Sequence, residues 1–328
     1  MLAKKILITG GAGYVGAALV PKLLSLGYLV TSLDLMIYGE NTLAPHPNLN
    51  IIKGDIRDGS LLNKLMPSHD TVIHLACISN DPSFELNPQL GKSINYDAFK
   101  PLVKTANKSG INHFLYASSS SVYGIKNEKH VHEEMSLEPL TDYSRYKAEC
   151  ETILKSYESD DFHTTVIRPA TVCGYSKRQR LDVVVNLMTN IAVHKKEITI
   201  YGGQQLRPNV HISDMVESYI AALTAPLTLT SGEIFNVGTE NLPIEEIAAT
   251  VRSIVGADTK LIKQTTNDNR SYHISSQKIE RILGFRPQYT ISDAVNDLCD
   301  AFNNGKLPNS LDDDIYFNIK TMQSINLT

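Results

Sequence analysis

Lys4-Lys5-Ile6-Leu7-Ile8-Thr9-Gly10-Gly11-Ala12-Gly13-Tyr14-Val15-Gly16 is the stretch whose reading decides the fold. Ile6, Leu7 and Ile8 form a short apolar run that ends directly in glycine, the pattern of a buried parallel strand. Ala17, Ala18, Leu19 and Val20, with Leu23, Leu24 and Leu26, read as a helix packed on that strand. Between the two elements the glycines stand at 10, 13 and 16, a G-x-x-G-x-x-G pattern. Glycine serves where the backbone turns tightly and where a phosphate must come close to it. The helix then opens with unpaired N–H groups at the positive end of its dipole, a seat for a pyrophosphate. Gly10, Gly13, Tyr14, Val15 and Gly16 are therefore the candidate cradle.

A second apolar strand, Leu29-Val30-Thr31-Ser32-Leu33, ends in Asp34, eighteen positions after Gly16. In a dinucleotide fold a carboxylate at that place accepts hydrogen bonds from the ribose hydroxyls of the adenosine. Asp34 also selects the cofactor. A 2'-phosphate would meet its negative charge, and Leu35, Met36, Ile37 and Tyr38 bring no arginine or lysine to neutralise it. NAD is expected rather than NADP.

Composition narrows the function class further. The chain has 328 residues, enough for one large α/β domain or two that share a cleft. Its net charge of −4, with no basic block, gives no reason to expect nucleic acid or an anionic membrane as partner. The longest apolar runs are strand-sized, so no spanning helix is expected. The N-terminus enters strand and glycine loop at once and leaves no room for a signal peptide. Cys77, Cys150, Cys173 and Cys299 lack C-x-x-C or Cys/His ligand spacing, and the ten histidines are scattered. A cytoplasmic protein with reduced cysteines and no metal is expected.

Strands and helices then alternate. A third strand at 50–53 leads to Gly54-Asp55-Ile56, a short helix lies near 60–66, and 71–77 reads as a fourth strand. A long helix is expected over about 86–109, and a fifth strand at 112–117. This rhythm is that of a parallel, doubly wound α/β sheet. Ligands bind beyond the carboxyl ends of such strands, which singles out the glycine loop, Asp34, Asp55, Leu75 to Cys77, and the serine run 118–121.

The next helix, about 140–159, has one anomaly. At 100° per residue Tyr143, Tyr146, Cys150, Ile153, Leu154 and Tyr157 share a stripe. Arg145, Ala148, Glu149, Glu151, Thr152, Lys155 and Glu158 take the other side. Lys147 breaks the division, one turn from Tyr143 at the edge of the stripe. A snorkelling lysine would account for an isolated case. Beside a dinucleotide there is a chemical reason as well. A tyrosine titrates near pH 10, and a neighbouring cation favours its phenolate.

Taken together, Gly10-x-x-Gly13-x-x-Gly16, Asp34, Gly54-Asp55-Ile56, His74-Leu75-Ala76, Asn95, the serine run with Val122-Tyr123-Gly124, and Tyr143-x-x-x-Lys147 resemble the extended short-chain dehydrogenase/reductase family. Within it the chain is similar to the nucleotide-sugar epimerase/dehydratase branch, UDP-glucose 4-epimerase-like. The similarity runs on through Arg168-Pro169-Ala170-Thr171-Val172-Cys173-Gly174, Ile200-Tyr201-Gly202-Gly203, Arg207, His211-Ile212-Ser213-Asp214 and Ile234-Phe235-Asn236-Val237-Gly238. It ends near Leu283-Gly284-Phe285-Arg286-Pro287.

The resemblance implies a Rossmann-like NAD-binding domain from 1–174 and 209–240, interleaved with a smaller C-terminal substrate lobe from 175–208 and 241–303. The remaining 304–328 reads as a polar tail without function. By the same resemblance Tyr143 is the catalytic base, Lys147 binds the nicotinamide ribose, and Ser119 holds the sugar hydroxyl. Asp55 and Ile56 match adenine contacts, Leu75, Ala76 and Asn95 further cofactor positions. Ser119, Ser120 and Thr171 are implied at the substrate. Arg178, Arg180, Arg207 and Arg270 are the candidate clamps for its diphosphate, because the guanidinium fork matches phosphate oxygens.

Dehydratase and decarboxylase relatives carry an acid after the catalytic Ser/Thr, where this chain has Ser120 and Ser121. A 4-keto reductase would draw on NADPH, against Asp34. The resemblance thus implies 4-epimerisation of a nucleotide-diphosphate sugar, with simple C4 oxidation next. An inert NAD-binding sensor or scaffold is a reading of another class, but such proteins commonly lose the tyrosine or lysine kept here. Thr171 stands where many 4-epimerases have asparagine, and the loop at 178–182 is unusual, which suits an unusual sugar. Homodimerisation is expected through the helices at 86–109 and 140–159, burying the stripe of Tyr146, Cys150, Ile153 and Tyr157.

Overall fold

The computed structural model describes residues 4–128, 130–266, 271–325 and 327. Its strands are β1 (Lys5–Thr9), β2 (Leu29–Asp34), β3 (Leu49–Lys53), β4 (Thr71–His74), β5 (His113–Ala117), β6 (His163–Pro169), β7 (Thr171–Cys173), β8 (Glu197–Tyr201), β9 (Leu206–His211), β10 (Glu233–Val237), β11 (Glu240–Pro243) and β12 (Lys260–Gln264). Seven of them form one sheet in the order β10-β6-β5-β4-β1-β2-β3. Every neighbouring pair in it is parallel.

Alternation along β1 shows why both faces are covered. Ile6 and Ile8 pack with Leu19, Val20 and Leu23 of the first helix and with Tyr219. Leu7 points the other way, onto Phe99, Leu102, Val103 and Phe114. All three β1 side chains are fully buried, as the uninterrupted apolar run requires of a strand between two helical layers.

Strand order reverses between β1 and β4, and this reversal opens a crevice at the carboxyl edge. Thr9 pairs with Leu33 on one side and with His74 on the other. That register brings Gly10, Asp34 and Leu75 to one rim. Two smaller sheets, β11-β9-β7 and β12-β8, lie outside this sheet. Helices Val184–Lys195, Ile244–Val255 and Ile291–Asn303 share a separate core with Ile198 and Ile200 of β8.

Three expectations are corrected. The helix over 86–109 is broken into Asp81–Leu86, Pro88–Lys92, a π-helical turn at Ser93–Asp97, and Phe99–Lys108. Asn80 and Asn87 each cap a new start ahead of a proline at its first or second position. The segment 304–328 is not a polar tail. It carries a helix, Asn318–Ser324, and buries Leu307, Tyr316, Asn318 and Met322. Finally, Glu151 is inside: the buried arc of helix Asp142–Lys155 holds Ser144, Tyr146, Lys147, Cys150, Glu151 and Leu154. No helix among the described residues is long and apolar enough to cross a membrane.

Candidate active site

The crevice leads into a pocket whose floor is the glycine loop. Gly10 has φ +78°, and a Cβ there would lie 2.6 Å from the backbone nitrogen of Ala76 across the switch point. Gly16 has an ordinary φ, but its Cβ would meet the Gly10 and Gly11 carbonyl oxygens at 2.5 Å. One glycine serves the turn and the other the seating of the helix on the loop. Helix Gly16–Ser25 has no side-chain cap at its N-terminus; the Ala17 and Ala18 amides bond back to the Gly13 and Val15 carbonyls, and the positive end of the helix dipole faces the loop where an anion would sit. Gly10, Gly13, Tyr14, Val15, Gly16, Asp34, Ile56, Leu75 and Ala76 all line this pocket. The cradle fits a dinucleotide.

Asp34 is held in place before any ligand arrives: its carboxylate accepts the Ala12 N–H at 2.9 Å and the Met36 N–H at 2.7 Å. Burial pushes its carboxyl above the usual range, while those two bonds and the Arg178 guanidinium act the other way. That arginine is a structural correction to the local sequence reading. A cation does reach this end of the pocket, from a loop 144 positions further on, and lies 3.6 Å over the Tyr38 ring. Asp34→Ala is expected to weaken NAD binding by about 1.5–3 kcal/mol, the range of a charge-assisted hydrogen bond, and to narrow the preference for NAD over NADP. Calorimetric titration of apoprotein with both cofactors measures it; equal binding by the wild type would overturn the assigned role.

At the opposite end stand Tyr143, Lys147 and the serine run. Thr141 and Ser144 cap helix Asp142–Lys155 reciprocally. The Thr141 hydroxyl also donates to Asp81 at 2.6 Å, tying this helix to the start of the helix after β4. Tyr143 therefore emerges from a fixed first turn. Lys147, 3% exposed, donates to the Ala117 carbonyl at 2.6 Å, and its Nζ is 5.9 Å from the Tyr143 ring centroid. Burial, then Cys77 and Asp81, push the Tyr143 phenol well above its ordinary value; Arg180 and a hydrogen bond from the Asn80 backbone oppose them. Arg180 is thus a second cation, beside Lys147, that favours the phenolate. Ser119 shares a 2.8 Å hydrogen bond with Ser121.

Behind the serines lies a buried network. Arg168 Nε and Nη2 donate to the two Glu151 oxygens at 3.0 and 2.6 Å. Ser118 donates to the same carboxylate. Arg168 Nη1 donates to the Tyr123 hydroxyl at 2.7 Å, which donates on to Asn236 at 2.8 Å. Helical spacing held the signal for Glu151, since it follows Tyr143 and Lys147 at i+8 and i+4. Its charge sent it to the solvent side in the sequence reading.

Arg178 and Arg180, 4% and 9% exposed, line the pocket as neighbours with different partners. Arg178 is drawn toward Asp34 and Tyr38; burial lowers its pKa to about 10, so it stays a cation at neutral pH. Arg180 acts on Tyr143 and is bound to Asp182 at 2.6 Å and to Ser79 at 3.0 Å. Each keeps one buried nitrogen, Arg178 Nε and Arg180 Nη2, without a hydrogen-bond partner.

Other expected residues stand apart. Asp55 is outside the lining and pairs with Arg57 at 2.7 Å. Asn95 is also outside; it clamps Ile78, accepting its N–H at 2.8 Å and donating to its carbonyl at 2.9 Å. Arg207 lies 5.3 Å from the ring of Tyr272, and it is Tyr272 that lines the pocket. Arg270 falls outside the described residues. Ser120 and Thr171 line the pocket as expected. Cys77, at the strand end that the sequence singled out, lines the pocket, whereas the local sequence held no sign of Tyr38, Ser79, Asn80, Asp81, Tyr219 and Asn318, which loops and distant helices bring in.

The comparisons with known proteins agree with this geometry. Residues 6–238 match the model of the NAD dependent epimerase/dehydratase family. The chain is 26% identical over 315 residues to UDP-glucose 4-epimerase of Lactobacillus helveticus, covering 89% of this chain and 94% of that one. It is 27% identical over 311 residues to dTDP-glucose 4,6-dehydratase of Actinoplanes sp., covering 89% and 95%. Among solved structures, dTDP-glucose 4,6-dehydratase from Streptomyces venezuelae, with NAD bound, superposes with a TM-score of 0.82 at 25% identity, covering 92% of this chain and 97% of that one.

Proposed function

The chain belongs to the NAD dependent epimerase/dehydratase family, and on that premise we propose that it is a nucleotide-sugar 4-epimerase working by transient oxidation at C4. One observation carries the reading. Tyr143, Lys147 and Ser119 share a single pocket with the glycine cradle and Asp34, so a proton acceptor stands beside the place for a hydride acceptor. NAD, which the glycine cradle, Asp34 and Lys147 would hold, would supply the reversible hydride acceptor for C4 that the transient oxidation requires.

The Tyr143 phenolate accepts the proton of the sugar 4-hydroxyl, and Ser119 hydrogen-bonds that hydroxyl. Lys147 and Arg180 supply the positive field that favours phenolate over phenol. Arg180, with Ser120 and Thr171, faces the nucleotide-diphosphate sugar. The domain boundaries at 174/175, 208/209 and 240/241 separate the cofactor side from the substrate lobe.

A second reading has its own observation. The strand-five motif lacks an acid, but Asp81 lines the pocket from the start of the helix after β4, and a carboxylate there suits the acid–base step of a 4,6-dehydratase. A screen of UDP-, GDP-, dTDP- and CDP-hexoses with NMR of the products separates the two. The epimerase gives a C4 epimer, the dehydratase a 4-keto-6-deoxy sugar. No turnover of any nucleotide sugar would leave only a binding protein.

We also expect a homodimer in a reducing, cytoplasmic setting that keeps all four cysteines free. The apolar stripe that was to form its interface is partly spent inside the chain. Tyr146 stacks on Tyr96 at 4.9 Å and Cys150 is fully buried, leaving Tyr96, Ile153 and Tyr157 half-buried at the surface. Sedimentation at micromolar concentration should give twice the 36.3 kDa chain mass; a monomer rejects this interface.

A further inference from the structure

The C-terminal segment reaches the pocket through one residue. Asn318, 2% exposed, begins helix Asn318–Ser324 and lines the pocket wall. Its side-chain oxygen accepts Arg178 Nη2 at 2.6 Å, and its side-chain nitrogen donates to Ser79 Oγ at 3.0 Å. Its backbone N–H donates to Asp182 at 3.0 Å. Arg180 closes the ring, since it donates to both Ser79 and Asp182. The Leu181 N–H adds a further tie, to the Tyr316 carbonyl at 2.9 Å. Met322 anchors the helix in the same core as Ile78 and Phe99.

Such a ring holds a loop that has no regular structure of its own between β7 and helix Val184–Lys195. It fixes Arg178 over Tyr38 at the Asp34 end, with Nε buried and unpartnered. A buried guanidinium with a vacant donor is costly unless an anion completes it. The anion due here is the diphosphate of the dinucleotide, which the glycine cradle marks; Arg178 also acts on Tyr14 of that cradle.

We propose that the C-terminal segment is a latch over the cofactor, with Asn318 as the positioning residue that holds Arg178 against the bound dinucleotide and slows its release. The purpose of the latch rests on the transient-oxidation reading: a reduced cofactor that must give its hydride back has to stay until it does. Its measurement does not depend on that reading, because it follows cofactor binding alone.

Apoprotein variants are titrated calorimetrically with NAD, and release is followed by the fluorescence of NADH displaced by excess NAD. Asn318→Ala should weaken NAD at least about tenfold, the factor one charge-assisted hydrogen bond carries, chiefly through faster release. Arg178→Ala should do the same. The double variant should be no weaker than Arg178→Ala alone, because Asn318 acts through that arginine. Thermal melting of each apoprotein checks folding, and Arg178→Ala stands as the test should Asn318→Ala fold poorly. Unchanged NAD affinity in both variants overturns the latch. So do losses that multiply in full, or a loss confined to binding of UDP, which would place Arg178 on the substrate's diphosphate instead. A wild type that turns over no nucleotide sugar defeats the epimerase reading and leaves these affinities readable.

Discussion

Tyr143→Phe is expected to keep NAD affinity near the wild-type value while kcat falls by about 10²–10⁴-fold or more, the usual contribution of a positioned proton acceptor. The phenol ring packs edge-on to Phe84 at 6.4 Å, and phenylalanine preserves that contact. Only the oxygen is lost. Tyr146→Phe should be nearly silent, because Tyr146 lies outside the pocket against Phe84 and Tyr96.

The pH profile tests the electrostatics. With Tyr143 as the proposed base, only its phenolate is active, so the rate should rise with pH through its titration. Burial, which dominates, together with Cys77 and Asp81, moves that titration upward, and Arg180 moves it back. Arg180→Gln should therefore shift the rising limb to higher pH, as should Lys147→Ala through the loss of the cation one helical turn from Tyr143. Single-turnover reduction of bound NAD separates the variants from effects on product release. A wild-type rate of reduction in Tyr143→Phe would reject the mechanism.

Glu151→Ala should cost about 3–5 kcal/mol of folding stability, the price of leaving a buried charge without its partner. The carboxylate and the Arg168 guanidinium are 5% and 3% exposed, and no solvent can replace either. Burial opposes the charge on Arg168, and Glu151 more than restores it. Replacing both, as Glu151→Leu with Arg168→Met, should recover part of the loss, since no charge is then stranded and only the Ser118 and Tyr123 hydroxyls and the Glu133 carbonyl lose a partner. Urea unfolding of the single and double variants measures both. A loss below about 1 kcal/mol in Glu151→Ala would show the pair to be solvated, contrary to its burial.

The network also ties the proposed catalytic helix to the serine run. Ser118 donates to Glu151 at the start of the serine run, and Lys147 donates to the carbonyl of Ala117 just before it. Both bonds join helix Asp142–Lys155 to the end of β5. The positions of Tyr143 and Ser119 relative to each other thus follow from how that helix is docked.

What the sequence determined by itself is what local periodicity and spacing can encode. The apolar run at 6–8, the glycines at 10, 13 and 16 and the strand ending in Asp34 define a cofactor cradle within one stretch of chain, and the structure places them together. Tyr143 and Lys147 are one helical turn apart, so their proximity is also local. Tertiary structure alone decided what crosses the pocket. Asn95 became a backbone clamp because a π-helical turn points it at Ile78. Arg178 and Arg180, two positions apart, were given different partners, the Tyr38 ring and Asn318 for one and Ser79 and Asp182 for the other. Glu151 went inside because Arg168, on the neighbouring strand, compensates its charge, and a segment that reads as polar tail folded because Asn318 found Arg178, Ser79 and Asp182. Local sequence registers the cost of burying a polar group; the partner that offsets it lies elsewhere in the chain, and only the fold brings it there.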